Sequence, residues 1–227
     1  MRLERTFWPV GHGAFYTEQF NWADFIAVYD CGGKPEIIGD RVNSFAERVP
    51  IKGSRNNEEW INLLFISHFH EDHFNGVKQL LNNVNVERIV LPYLSHLMLA
   101  ESFVYNSFIK GGEAVDISND VQQGILELAL DGTLYENGAI TEVIEREDGE
   151  QRPARANELP RQIVSGREIQ VLEEGKYPFW KYVPVNKGVD EKKCKAYRSD
   201  LIKVGNIELK LEKPEIYQLE ELMNNNS

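Results

Sequence analysis

Residues 61–76 of the chain read INLLFISHFHEDHFNG. Asn62 to Ser67 is an apolar run of strand length, and His68-Phe69-His70-Glu71-Asp72-His73 follows without a break. Three of the chain's five histidines fall within these six residues, with acidic side chains between them. In an extended segment residues i and i+2 point the same way, so His68 and His70 offer two imidazoles to one ion. Asp72 and His73 stand where the chain should turn into a helix. As neighbours they share no helix face, yet they aim a carboxylate and an imidazole at a second ion close by. Neutral imidazole with carboxylate suits zinc first, with manganese or iron as alternatives. Two ions so held would clamp a bridging water, lower its pKa and hold an anionic substrate. The plainer alternative is histidines on a surface loop or satisfied in a core. It explains a single histidine better than three directly after a buried-type strand.

His-x-His-x-Asp-His after an apolar strand, with Gly76 opening a helix, resembles the signature loop of the metallo-β-lactamase superfamily. The resemblance implies an αββα sandwich and metal-dependent hydrolysis. It makes His68, His70 and His73 metal ligands. Asp72 becomes a ligand of the second ion and the group that orients the bridging water. Val10-Gly11-His12-Gly13-Ala14 and Val28-Tyr29-Asp30-Cys31-Gly32-Gly33 look like the opening hairpin of the branch that includes the DNA-uptake protein's hydrolase domain. That branch often carries Gly-Gln-Gly where this chain has Gly11-His12-Gly13. By the same resemblance Asp30 lies under the metal loop and orders it; its plain alternative is an ordinary strand-end carboxylate. The likeness covers about residues 3–95.

The totals bound the rest. A chain of 227 residues with 42% hydrophobic content makes one domain, or one domain with an insertion. A formal charge of −11 argues against non-specific duplex DNA binding, which needs lysine and arginine to displace counterions. A small-molecule or short oligonucleotide substrate docking on a metal remains compatible with it. Met1-Arg2-Leu3-Glu4-Arg5 is charged from the outset and no apolar run approaches membrane-spanning length. A soluble cytoplasmic protein that binds no membrane is therefore expected. Cys31 and Cys194 lie far apart and form no disulfide framework.

Around the loop, residues 3–10 read as an edge-type strand that Pro9 limits. Phe15-Tyr16 starts a return strand, and Phe25 to Tyr29 is a buried strand ending at Asp30. Ile37, Ile38, Val42, Phe45 and Val49 give residues 35–49 one apolar helical stripe. Val77, Leu80, Leu81 and Val84 give residues 75–84 another. Residues 86–92 are the next strand. A right-handed strand–helix–strand crossover brings the loops after strands 61–67 and 86–92 to the same end of the sheet, where ligands bind in open α/β sheets. Tyr93 and Ser95-His96 then fall near the metal loop. His96 is a candidate second-layer or substrate group, against the plain alternative of a first-turn residue in a helix Leu97 to Ile109. Residues 119–131 read as a helix and 140–144 as a short strand. The charged run 145–158 reads as an exposed loop, 162–172 as a hairpin around Ser165-Gly166, and 178–184 as a packed edge strand. Residues 207–211 are a further strand candidate and Ile216 to Met223 a short helix.

The family pattern ordinarily adds a histidine well beyond the signature loop, then a bridging aspartate, then a final histidine. No histidine follows His96. Asp131, Asp190 and Asp200 lack a recognisable context, so none is assigned. Residues 100–227 look helical, charged and short of strands. The expected fold is therefore α/β: a metallo-β-lactamase-like αββα sandwich, incomplete in its second half or interrupted by an insertion. Residues 1–110 form the metal-binding half, and 111–227 an insertion or a diverged second half. Three explanations compete: a missing half on another polypeptide, a diverged member with a single-ion site, or an insertion in a longer protein. Two functions are compatible with these features. One is a metal-dependent hydrolase with His68, His70, Asp72 and His73 at the ions and His12 or His96 beside the leaving group. Its expected substrate, by branch resemblance, is a phosphodiester in a nucleotide or nucleic acid. The other is a non-catalytic or partner-dependent metal-binding subunit of a multi-protein system.

Overall fold

Near-continuous runs of buried residues, such as Phe25 to Val28 and Leu63 to Ile66, build much of the described core, because their strands are covered on both faces. The structure, a computed structural model, describes residues 2–20, 24–49, 51–52, 58–68, 70–93, 140–144, 152–172 and 178–186. All of them belong to one compact unit of the chain. The expected helices at 97–109, 119–131 and 216–223 and the strand at 207–211 lie outside these residues, as do His96, Asp131, Asp190, Cys194 and Asp200.

The N-terminal strands form an antiparallel meander, β1 (Leu3–Phe7), β2 (Phe15–Phe20) and β3 (Phe25–Cys31). From β3 onward the pairing is parallel: β5 (Glu58–Phe65), β6 (Asn85–Pro92), β7 (Ile140–Ile144) and β9 (Gln162–Val164) succeed one another in that order across the sheet. A two-residue β4 (Ile51–Lys52) pairs antiparallel with the start of β5. A second sheet has three strands, β11 (Pro178–Tyr182), β10 (Ile169–Leu172) and β8 (Ala154–Arg155), in that order. The chain is thus a mixed α/β protein.

The two sheets pack face to face. Phe20, Phe25, Ala27, Leu63, Phe65, Val90 and Val143 of the large sheet share one core with Ala154, Ile169 and Val171 of the small one. The intervening residues, such as Val28 and Leu64, are fully buried on the opposite face. That face carries α1 (Pro35–Ala46) and α3 (Val77–Asn83), which pack on each other. Helix α1 starts with proline at its first position, a place where the missing N–H costs no hydrogen bond. It buries Ile38, Val42, Phe45 and Ala46, and the Phe45 ring meets Trp8 and Phe15 at 6.0 and 5.7 Å between centroids. Full burial of such a side chain contributes about 1.5–3 kcal/mol. The described layers run helices, large sheet, small sheet.

Four expectations need correction. Residues 100–227, expected to be short of strands, contribute β7 to β11. Residues 154–158 are no exposed loop: Ala154 and Ala156 are buried while Arg155 between them is exposed. Two alanines among charged residues make too short an alternation to stand out. Residues 162–172 are not a hairpin, because β9 pairs with β7 in the large sheet and β10 with β8 and β11 in the small one. Gly166, at φ 85°, turns the chain from one sheet into the other instead of reversing it beside itself. The helix expected over 75–84 begins only at Val77, and a separate turn α2 (Glu71–Phe74) precedes it. Residues 178–184 do supply an edge strand. Among the described residues no helix is long and apolar enough to cross a membrane.

Candidate metal centre

The loop after β5 is held from below by Asp30. This residue, last but one in β3, is fully buried and adopts a left-handed backbone at φ 53°. Its Oδ1 accepts the Ser67 backbone N–H at 2.7 Å and its Oδ2 the Ser67 hydroxyl at 2.6 Å. The same Oδ2 lies 2.8 Å from Nδ1 of His73. The Ser67 oxygen, having donated its proton to Asp30, is left to accept from Nδ1 of His68 at 2.9 Å. Both Nδ1 atoms therefore carry hydrogen, and in the neutral imidazole this leaves the lone pair on Nε2.

Glycines let other segments close on the loop. A Cβ on Gly13 would collide with the Asp72 carbonyl oxygen, and one on Gly32 with the Asp72 carbonyl carbon and the His73 nitrogen. In their place Ala14 N–H donates to Asp72 O at 3.1 Å. Asn75 accepts from Gly33 N–H at 3.0 Å and donates to Gly33 O at 2.7 Å. Gly76 N–H donates to Cys31 O at 2.8 Å. The loop is thus fastened to the end of β3 and to the turn after β1.

The side chains then gather. The His68 ring centroid lies 4.6 Å from that of His70 and 4.1 Å from that of His73. Asp72 Oδ2 lies 3.7 Å from His73 Nε2 and 3.3 Å from Nε2 of His12, which is 88% exposed on its turn. Burial, then the neighbouring His73 and His70, hold the His68 imidazole below its usual range, so it stays neutral at pH 7. Cys31 is free and fully buried; burial first, then Asp30, raise its thiol, so it supplies no thiolate. Tyr93 comes just after the end of β6, its N–H donating to Val143 O, at the same end of the parallel strands as the loop.

As the side chains stand, no three histidine, cysteine, aspartate or glutamate residues among those described close into a cage around one point. The donor chemistry nonetheless fits a divalent ion. Three imidazoles and a carboxylate share one loop, and two imidazoles have Nδ1 pinned by oxygen, the arrangement that sets a ligating histidine's tautomer. Ser67 and Asn75, which hold the loop, were not singled out in the sequence. Ser67 is legible only as the residue before the first histidine, and Asn75 only as an amide beside a glycine. No protein-family model matches the chain, and no characterised protein matches its sequence.

Proposed function

We propose that this chain is a divalent-metal-dependent hydrolase of the metallo-β-lactamase type. In this reading His68, His70, Asp72 and His73 hold one or two ions, zinc first. The observation that carries it is the paired tautomer control: Asp30 on His73 and Ser67 on His68 leave two Nε2 lone pairs in one cluster. A bound ion would supply Lewis acidity, lowering the pKa of water and stabilising negative charge at the bond being cleaved. The chain's own residues do the rest. Asp72, 3.3 Å from His12 and 3.7 Å from His73, would orient a water and take its proton. His12, exposed at the turn, would steady a departing oxygen. Hydrolysis places the hydroxyl of water on the electrophilic centre and its other hydrogen on the leaving group. A phosphodiester is the proposed substrate, supported by the resemblance of the opening hairpin alone.

A second reading is a partner-dependent metal-binding subunit, in which another polypeptide supplies the remaining ligands. Metal analysis of the purified chain separates the two. About two ions per chain, lost in a His68→Ala, His70→Ala variant, together with phosphodiester cleavage, is the expected result. About one ion without turnover would favour the subunit reading. No metal after incubation with zinc or manganese would sink the stand-alone enzyme.

A further inference from the structure

The two sheets leave a cavity of about 340 Å³ between their edges, at the carboxyl ends of β3, β5, β6 and β7. Its walls include Tyr29, Ser67, Val143, Tyr182, Val185 and Asn186. Among the described residues that line it, none carries a charge. Ser67 belongs both to this cavity and to the candidate metal centre, where its hydroxyl bridges Asp30 and His68. The cavity thus reaches the residue that precedes the histidine loop and is hydrogen-bonded to its first histidine.

The hydroxyls of the two tyrosine walls are both engaged in hydrogen bonds. Tyr182 donates its proton to Glu18 Oε2 at 2.6 Å, and its ring packs on Phe65 at 4.9 Å between centroids. The Tyr29 ring lies 6.3 Å from that of Phe65 between centroids, and its hydroxyl pairs with Ser67. Asn186 spends its side-chain nitrogen on Val143 O at 2.7 Å. The volume falls within the ordinary range for small-molecule pockets, roughly 300–1,000 Å³, and an apolar lining with few polar groups is their usual make-up. Among the described lining residues a phosphate chain would find no cation.

We propose that this cavity is a substrate subsite for an uncharged aromatic ring, held next to a scissile bond at the histidine loop. The word substrate rests on the hydrolase reading; the preference of the cavity for such a ring does not. The subsite favours a compact ester with one flat apolar arm over a polyanionic strand.

The probe is 2-naphthol at pH 7, monitored by ligand-observed NMR, with the wild-type chain and a Val183→Glu, Val185→Glu variant. Both valines lie at the mouth and are exposed, Val185 at 74%, so the charges are introduced without disturbing the core. Circular dichroism checks folding, and Val185→Glu alone serves if the pair does not fold. The expected result is binding at least tenfold weaker in the variant, with zinc content unchanged. In zinc-loaded protein, 2-naphthyl 4-nitrophenyl phosphate should exceed methyl 4-nitrophenyl phosphate at least tenfold in kcat/KM, and the variant should lose that preference. Equal binding of 2-naphthol to both proteins, or none to either, overturns the subsite even if both esters are cleaved. Binding lost in the variant while neither ester is cleaved supports the ring pocket and removes the hydrolase reading alone.

Discussion

Asp30 accepts from Ser67 twice and from His73 once while its own backbone sits in the left-handed region. For a residue other than glycine that conformation costs of order 1 kcal/mol, and it persists where surrounding contacts enforce it. Asp30→Asn keeps one acceptor oxygen but puts an NH2 group against donors. Its expected effect is a roughly 10–100-fold loss of zinc affinity, the usual cost of disturbing a ligand's hydrogen-bond partner. Titration against a competing chelator measures it, and unchanged affinity would mean that Asp30 does not set the His73 tautomer. Gly32 offers a steric counterpart. An alanine there drives a methyl into the Asp72–His73 peptide, so Gly32→Ala should lower stability by about 1–3 kcal/mol in urea denaturation. Gly39 is the control. It lies inside α1, and the nearest atom to its added methyl is Oε1 of the Gln79 amide at 3.1 Å, a side-chain end that can shift by a few tenths of an ångström while its nitrogen keeps Gly39 O and Asn43 Oδ1. Gly39→Ala should be neutral or stabilise by up to about 1 kcal/mol.

At the scale of elements, the small sheet is bolted to the large one through a carboxylate. Glu18 on β2 is nearly buried and receives Tyr16 OH at 2.7 Å and Tyr182 OH at 2.6 Å, with Arg5 at 3.3 Å. Burial first, then Glu18, push the Tyr16 phenol up to about 12 and raise that of Tyr182 as well. Because the folded state keeps protons that the unfolded chain releases above pH 10, this stability is full below pH 10. It drains as pH rises towards and past 12. Urea midpoints should therefore fall from pH 10 upward, Tyr182 contributing at most about 1.4 kcal/mol per pH unit. Tyr182→Phe should lose about 1.5–3 kcal/mol at pH 7, the range for a hydrogen bond to a charged group, and decline less steeply above pH 10. A slope equal to that of the wild type would show that Tyr182 titrates in both states alike. None of this was legible in the sequence, where Glu18 and Tyr182 stand far apart. The strands that did show themselves were those with several apolar residues in register, such as Phe25 to Tyr29 and Val86 to Pro92. Helix α1 declared itself through Ile38, Val42 and Phe45. The loop histidines were plain because their spacing is local. Asp30 entered through resemblance, and Ser67 and Asn75 became visible only when the fold set them against it.

For the molecule as a whole, the candidate centre joins segments that are remote in sequence. His12 comes from the turn after β1, Asp30 from β3, and the rest from the loop after β5. An unfolded chain retains the local run His68 to His73 but loses Asp30, which sets the His73 tautomer, and the glycine contacts that fix Asp72. An ion held by the folded arrangement therefore binds the native state in preference, and binding must appear as stability. At a hundredfold excess over the dissociation constant the gain is about 2.7 kcal/mol. For a chain of this size that corresponds to a rise of roughly 5–10 °C in Tm. The overall charge of −11 favours accumulation of cations but does not choose a site, so a general ionic effect must be separated from a specific one. Calorimetry with zinc and, separately, with magnesium at equal ionic strength does so. Zinc should raise Tm in the wild type and leave the His68→Ala, His70→Ala variant unmoved, while magnesium, which prefers oxygen ligands, should move neither appreciably. An equal rise in wild type and variant would assign the effect to the acidic surface and leave the histidine loop without a metal.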